Sequence, residues 1–168
     1  MKRNFNTEST FNFIIRGLRA CKIRIRGWIY FISGSFFDGS GLGFTLGNNS
    51  RFINSKSLRL GYNVGFGICA RLECFPDNGD LDRPLIDIGN NTTFGDYLHI
   101  GAILGVAIGN NVLGGSHILI IDHSHGSPLL DLNARTKTAP ILRELKSKGK
   151  IIIEDNVWIV DNVIILSG

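Results

Sequence analysis

Two histidines close together are the side chains in this sequence best suited to chemistry. His123 and His125 lie in the run Ile-Ile-Asp-His-Ser-His-Gly at residues 120–126. Imidazole titrates near neutral pH, so either ring is a candidate general base. The two side chains would share a face if a strand continued through them. The preceding Asp122 would either orient an imidazole or serve a turn, as Asp commonly does at a corner.

Two more histidines, His99 and His117, lie in the regular sequence before that run. They occupy different positions in their six-residue units, the last and the fourth. The default interpretation for both is an outward-facing, solvated side chain.

The elements that must position these residues repeat every six residues from Ile88 to His125. An apolar residue leads five of the six units, and glycine occupies the second position in five. A period of six is neither the helical 3.6 nor the plain alternation of a strand. It predicts short strands joined by corners, stacked into an all-β solenoid with one continuous core.

Three units make eighteen residues, which predicts coils at 60–77, 88–105 and 108–125, with a further coil beginning at Ile153. The same spacing is weaker at Leu46 and Phe52. The pattern vanishes between the second histidine of the run and Ile151, which predicts a long loop at about 126–150. Within that loop, residues 140–147 are expected to form one or two helical turns ended by Gly149.

The first 43 residues differ from the rest, so the chain divides into an N-terminal arm, 1–43, and a solenoid domain, 44–168. The arm predicts a short helix over 9–20 and a strand over 22–31, packed on the solenoid. Residues 1–27 hold seven Lys or Arg against one acid. A basic arm favours contact with an anionic membrane surface or a solvated face. No nucleic-acid module accompanies it, so no nucleic-acid partner is expected.

The cellular location follows from cysteines and apolar runs. The three cysteines are odd in number, form no C-x-x-C and follow no secretion signal, so reduced thiols are expected. No apolar run is long enough to span a bilayer. A cytoplasmic protein, at the inner face of the membrane, is expected.

Three features together resemble a known family: the six-residue units, the segment 120–126 opening a long loop, and the segment 149–168 closing it. The last contains Asp-Asn-Val-Trp-Ile at 155–159. The chain resembles the hexapeptide-repeat acyltransferases, which have a left-handed parallel β-helix. Within them it is similar to sugar O-acetyltransferases of lipopolysaccharide O-antigen or capsule. The resemblance covers roughly residues 44–168 and implies a homotrimer that uses acetyl-CoA.

The resemblance also implies roles for individual residues. Aligning the start of the loop places the family's general base at His125, with His123 as the competing candidate. The base would take the acceptor hydroxyl proton during direct transfer, without an acyl-enzyme. An acceptor site between subunits would be lined by Asp96, Tyr97 and His99.

The cofactor residues implied by the resemblance lie near the end of the chain. Trp158 falls at the family's Val-Trp-Ile position, and Ser167 and Gly168 match a segment whose backbone contacts the cofactor. Val160 replaces the usual glycine. Family members continue through further coils, so a truncated product, or completion by another chain, is expected.

Two other functions stay open. The same fold is used by zinc-dependent carbonic anhydrases, and the four histidines supply enough imidazoles. The position of His125 at a loop rather than on a regular coil argues against a zinc site, and no metal is expected. Alternatively, the chain is an inactive solenoid that serves as a binding subunit.

Overall fold

The computed structural model describes residues 14–18, 21–22, 24–25, 29, 43–76, 83–126 and 139–168. Within the described solenoid, short strands stack in three parallel sheets, here called faces A, B and C. Face A contains β1 (Thr45–Leu46), β4 (Gly65–Phe66), β7 (Thr93–Phe94), β10 (Leu113–Gly114) and β15 (Trp158–Ile159). Face B contains β2 (Arg51–Ile53), β5 (Arg71–Cys74), β8 (His99–Ala102), β11 (Leu119–Ile121) and β16 (Ile164–Leu166). Face C contains β3 (Leu58–Leu60), β6 (Ile86–Ile88), β9 (Val106–Ile108) and β14 (Ile151–Ile153).

The chain visits the faces in the order A, B, C and returns to A one level higher. Every strand pair within a face is parallel and in register one coil apart, as in the pairing of Phe52 with Leu72 and of Leu72 with Ile100. This is the parallel β-helix that the repeat predicted, and it agrees with the left-handed form that the family resemblance implied. Parallel pairing between coils satisfies the backbone of each short strand, which could not be stable alone.

The coils are longer than predicted. Partners in neighbouring coils are at least twenty residues apart, not eighteen. Arg51 pairs with Arg71 and His99 with Leu119, each 20 apart, and Arg71 pairs with His99, 28 apart. The extra residues widen the corner between faces B and C. In one coil this corner contains a short 3-10 turn, Ser55–Ser57, and in another it is the turn 103–105.

The two tighter corners are built from residues with positive φ. At the corner between faces C and A, four asparagines stack in a column with φ of 54–61°. Their side chains hydrogen-bond from one coil to the next. Asparagine tolerates the left-handed region better than most residues, so the Asn-Asn pairs of the repeat favour this corner. The asparagines are Asn63, Asn91, Asn111 and Asn156.

The core is the interior of the triangular tube. Inward side chains of successive coils lie directly above one another, as in the fully buried column Leu72, Ile100 and Ile120. Phe66 and Phe94 stack at a centroid distance of 6.3 Å. The apolar residue that leads each six-residue unit is therefore buried against the residues at the equivalent position in the neighbouring coils, which explains the six-residue period.

In the N-terminal arm the structure differs from the prediction of a strand over 22–31. Residues 14–18 are helical, as predicted, but the described residues of the predicted strand 22–31 are helical too. Ile14, Leu18, Ile25 and Ile29 are exposed. A strand needs a neighbour for its backbone hydrogen bonds, whereas a helix satisfies them internally, so alternation alone was a weak signal here. The remaining residues of the arm lie outside the described part.

Among the described helical residues, none belongs to a helix long and apolar enough to cross a membrane.

In the part of the long loop that the structure describes, 139–150, the helical residues are those of the 3-10 turn Pro140–Leu142. The predicted helix over 140–147 is wrong beyond that turn, because the chain then forms β13 (Lys146–Ser147). This strand pairs antiparallel with β12 (His123–Ser124), so pairing with the loop start replaces helix propensity. Residues 127–138 of the predicted loop lie outside the described part.

Candidate active site

The outer surface of face B changes character from one end of the solenoid to the other. Apart from the half-buried Ile53, its first strands carry charged or polar outward side chains, while its last strands carry apolar ones. The apolar side chains Ile164 and Leu166 are exposed. The charged side chains are Arg51, Arg71, Glu73 and His99, and the apolar ones are Leu119, Ile121, Ile164 and Leu166.

His123 lies at the boundary between these two halves. It follows β11 and folds back over Gly101 of β8. A Cβ atom placed on Gly101 would lie 3.1 Å from His123 Cε1 and 3.8 Å from Nε2. Phe75 contacts the other side of the imidazole edge-on, with ring centroids 5.6 Å apart. The side chain is 11% exposed, so the ring is held in place yet reaches solvent.

Asp122 holds the imidazole. Its Oδ1 accepts a hydrogen bond from His123 Nδ1 at 3.0 Å. The same fully buried carboxylate accepts backbone N–H groups of Ile103, Leu104 and Gly105 at 2.7–3.2 Å. These three residues form the wide corner between β8 and β9. The extra residues of the coil therefore supply the donors that anchor the carboxylate.

This environment keeps Asp122 ionised. Burial raises the pKa of the carboxyl group, but the hydrogen bonds from His123 and from the three backbone N–H groups outweigh it. The net pKa is below the ordinary value. An ionised Asp122 fixes the proton of His123 on Nδ1, which leaves Nε2 with its lone pair. Among the described residues, no side chain or backbone group hydrogen-bonds to that Nε2.

Beside the imidazole, Glu73 gathers the polar half of face B. Its carboxylate lies 2.6 Å from Arg51 Nη2 and 3.1 Å from His99 Nε2. Arg71 Nε is 3.4 Å from the same carboxylate. Burial raises the pKa of Glu73, but the hydrogen bonds from Arg51 and His99 and the charge of Arg71 bring the net pKa below its usual value.

His99 is a neutral member of this cluster. Burial lowers its pKa, the Arg71 guanidinium lowers it further, and Glu73 opposes this only in part. Arg71 Nη2 lies 2.9 Å from His99 Nδ1. The pattern assigns the proton to Nε2, which donates to Glu73, and makes Nδ1 the acceptor of the Arg71 N–H.

His125, the base favoured by alignment, is placed differently. It is exposed, lies past the end of β12, and follows an exposed Ser124. The chain leaves the solenoid at Asp122, so His123 lies against the coils whereas His125 lies farther along the departing segment. The geometry of a held, partly buried imidazole belongs to His123.

The three residues predicted to line the acceptor site lie in different parts of the solenoid. His99 lies in the cluster next to His123. Asp96 Oδ1 instead accepts the backbone N–H of Ile68 in the neighbouring coil, a corner contact. Tyr97 stacks on His117 at 4.7 Å, both with positive φ at the corner between faces A and B.

The predicted cofactor residues also lie in two places. Ser167 is beside the candidate base, since its Oγ donates to the backbone oxygen of Asp122 at 2.8 Å. Gly168 follows it in open space. Trp158 projects outward from face A next to Leu113 and is 73% exposed. Trp158 and His123 thus face different directions.

Two other places in the described solenoid, the Cys74 thiol and a groove on face C, are weaker candidates for a catalytic site. Burial raises the pKa of the Cys74 thiol to about 12, so it is not a nucleophile at neutral pH. A shallow groove of about 660 Å³ on face C is lined by corner residues and by the Arg59–Asp87 pair, without an imidazole or a thiol. In the described part of the chain, no three His, Cys, Asp or Glu side chains converge as metal ligands would.

Four residues of the polar cluster and its surroundings escaped the sequence prediction: Arg51, Arg71, Glu73 and Gly101. Glu73 and His99 are 26 residues apart, because strand partners at this step of the solenoid are 28 residues apart rather than 20. Coil alignment finds the pairing once the frame is restarted at Ile86. Gly101 was visible as the glycine following Ile100, but nothing marked it as the position covered by an imidazole.

Comparison with known proteins gives one informative match. Over 116 residues the chain is 34% identical to the Escherichia coli K12 protein named "Putative lipopolysaccharide biosynthesis O-acetyl transferase WbbJ". The match covers 68% of this chain and 56% of that protein, so the chain spans little more than half the length of its relative. No family model matches the chain, and no solved structure matches it. The match confirms the resemblance to sugar O-acetyltransferases.

Proposed function

We propose that this protein transfers an acetyl group from acetyl-CoA to a hydroxyl group of a sugar in a surface polysaccharide or its precursor. The observation that carries the proposal is the Asp122–His123 pair, with an available Nε2, on a parallel β-helix similar in sequence to WbbJ. A poised imidazole is what deprotonation of a hydroxyl requires, and the relative's name supplies the reaction class.

His123 is the general base in this proposal, and it replaces the alignment-based choice of His125. Nε2 takes the proton of the acceptor hydroxyl while the hydroxyl oxygen attacks the thioester carbon. The carbon–sulfur bond breaks, and the coenzyme leaves as a thiolate that the imidazolium can protonate. Asp122 stabilises the imidazolium, because its buried carboxylate is adjacent to the positive charge. No acyl-enzyme is needed.

The two halves of face B suggest how the substrates divide. The apolar side chains of the last strands, beside Ser167, suit the pantetheine arm of acetyl-CoA. The polar cluster on the other side of His123 suits a sugar. A hydroxyl and a thioester approaching from opposite sides would meet at Nε2.

Trp158 is proposed to contact acetyl-CoA from a second copy of the chain. It faces outward from face A, whereas His123 faces outward from face B. A homotrimer would bring face A of one copy next to face B of another. Such an assembly also covers exposed apolar side chains, including Leu113 and Ile164. The expected location is the cytoplasm, with the basic arm at the inner membrane surface.

The test is release of free thiol from acetyl-CoA by the purified protein, with a panel of sugars as acceptors. Sugar-dependent thiol release, with an acetylated sugar identified by mass spectrometry, is expected. Thiol release that no sugar stimulates would contradict the proposal. Stoichiometric zinc in the same preparation, with CO2 hydration, would instead favour a zinc site shared between copies. Failure to bind acetyl-CoA at millimolar concentration would indicate a binding subunit.

A further inference from the structure

We propose that the acceptor carries an anionic group, a carboxylate or a phosphate, which binds Arg71 and Arg51 while the reacting hydroxyl lies at His123 Nε2. This inference rests on the acetyl transfer proposed above and narrows its acceptor. It starts from the charges of the polar half of face B.

The cluster contains more positive than negative charge. Arg51 and Arg71 share a single carboxylate, Glu73, which lies 2.6 Å from one guanidinium and 3.4 Å from the other. His99 also donates to that carboxylate, but as a neutral imidazole it adds no charge. Two guanidiniums and one carboxylate leave one positive charge without a partner inside the cluster.

That charge is presented to the outside. The side chains of Arg51 and Arg71 are 62% and 46% exposed, whereas Glu73 is only 10% exposed. The carboxylate therefore lies beneath the two arginines, and solvent meets guanidinium. The planar fork of arginine matches carboxylate and phosphate oxygens in a bidentate geometry. Among the described residues, Arg71 makes its contacts through Nε and Nη2.

The cluster is close enough to serve the same substrate as the base. Glu73 pairs directly with Gly101 in the neighbouring strand, and His123 covers Gly101. Adjacent strands lie about 4.8 Å apart. A single sugar residue can therefore reach from the arginines to Nε2.

The phosphates of acetyl-CoA are the other source of a negative charge. The apolar half of face B lies on the far side of His123, next to Ser167. Placing the pantetheine arm there leaves the arginines to the acceptor. If the arginines bind the acceptor anion, substituting Arg71 raises the KM of the acceptor. If they bind the phosphates of acetyl-CoA, the same substitution raises the KM of acetyl-CoA.

The kinetic experiment compares methyl glucoside, methyl glucuronoside and glucose 6-phosphate as acceptors. We expect at least one anionic sugar to have a kcat/KM about tenfold or more above the glucoside. Arg71→Gln should remove this preference by raising the KM of the anionic sugar at least about tenfold, with the KM of acetyl-CoA unchanged. Arg71→Lys should restore part of the preference. Arg59→Gln, on face C, is the matched control and should behave as wild type.

Two kinetic outcomes would overturn the inference while leaving acetyl transfer intact. One is equal efficiency with the neutral and both anionic sugars. The other is an increase in the KM of acetyl-CoA in Arg71→Gln, which would assign the arginines to the donor.

A binding measurement separates this inference from the proposed reaction. Imidazole resonances of His99 and His123, followed by NMR during titration with glucuronate, should shift in wild type and in Arg59→Gln. They should shift much less in Arg71→Gln, and titration with glucose should not reproduce the effect. If no sugar supports thiol release, the proposed reaction fails, and this titration still decides whether the site binds anions. Equal shifts with glucose and glucuronate would overturn it.

Discussion

Asp122 Oδ1 accepts a hydrogen bond from His123 Nδ1, with 3.0 Å between the two atoms, although the two residues are neighbours in sequence. Adjacent residues in a regular strand point to opposite faces. Here the chain turns out of the solenoid between them, so an inward carboxylate and an outward imidazole meet at the edge of the coil.

The first prediction separates the two candidate bases. His123→Ala should reduce kcat for acetyl transfer by about 10²–10⁴-fold, the usual contribution of a general base. His125→Ala should stay within about twofold of wild type, because that side chain is exposed and hydrogen-bonds to none of the described residues. Initial rates of thiol release with one saturating acceptor measure both. The assignment is wrong if the two effects are reversed.

The second prediction concerns the anchoring carboxylate. Asp122→Asn should lower the free energy of unfolding by roughly 3 kcal/mol, as expected when one partner of a buried charged network is lost. The carboxylate offers two oxygens to its donors, whereas the amide would offer one. A backbone N–H or His123 Nδ1 therefore loses its partner. Urea denaturation measures the loss.

Activity distinguishes positioning from mere stability in the same variant. At a temperature where Asp122→Asn is fully folded, kcat should still fall, and its pH profile should shift, because the proton on His123 is no longer fixed to Nδ1. A variant that is less stable but has wild-type kcat and pH profile would show that Asp122 does not position the imidazole.

The third prediction uses the glycine beneath the imidazole. Gly101→Ala places a Cβ 3.1 Å from His123 Cε1, so the ring must move by a few tenths of an ångström or more. Activity should fall at least about tenfold while the melting temperature changes little. Gly17→Ala is the control, since a Cβ there meets nothing within 4 Å. Wild-type kcat in Gly101→Ala would mean that the ring position is not critical.

The fourth prediction is a pH dependence. The pKa of His99 is below its ordinary value of 6.5 in the folded protein. Above pH 6.5 both states are neutral and stability is unaffected. As the pH falls through 6.5, the unfolded chain binds the proton first, so stability decreases until the folded pKa is reached.

The groups facing His99 in the described part of the chain are Arg71, Glu73 and His123. Removing the positive neighbour in Arg71→Gln should raise the pKa of His99, as measured by NMR titration. Urea midpoints between pH 7.5 and 5 should then fall less steeply than in wild type. An unchanged His99 titration in Arg71→Gln would contradict the structure of the cluster.

The fifth prediction tests the outward tryptophan of face A. Acetyl-CoA should quench tryptophan fluorescence in wild type and markedly less in Trp158→Phe, and the KM for acetyl-CoA should rise several-fold in that variant. Trp28 is retained as the internal reference fluorophore. Equal quenching in both proteins would remove Trp158 from the cofactor site.

Much of the fold was readable because the repeat is a local signal. The leading apolar residue of each unit is the one buried in each coil, and the Asn-Asn pairs mark a corner. The coil length was misjudged because the two residues beyond Gly105 were taken as an interruption, whereas wide corners recur. The arm was misjudged because alternation of Lys, Ile and Arg does not say whether a partner strand exists.

The site was only half readable for a different reason. The run with two histidines located the chemistry, but which imidazole is held depends on where the chain leaves the solenoid. No residue type marks that point. Glu73 and Arg71 contact His99 across a step of 28 residues instead of 20, so their proximity depends on three-dimensional stacking rather than on regular spacing.

The corner contacts on either side of the long loop join residues 45 apart, as from Asn110 to Asp155 and from Ser116 to Asp161, yet their geometry matches that of contacts 20 apart. The stacking of the coils is therefore the same whether or not a long loop is inserted after Asp122. Under the proposed function, the inserted segment is the part of the chain that can change with the acceptor, while His123 and the coils that hold it stay as they are.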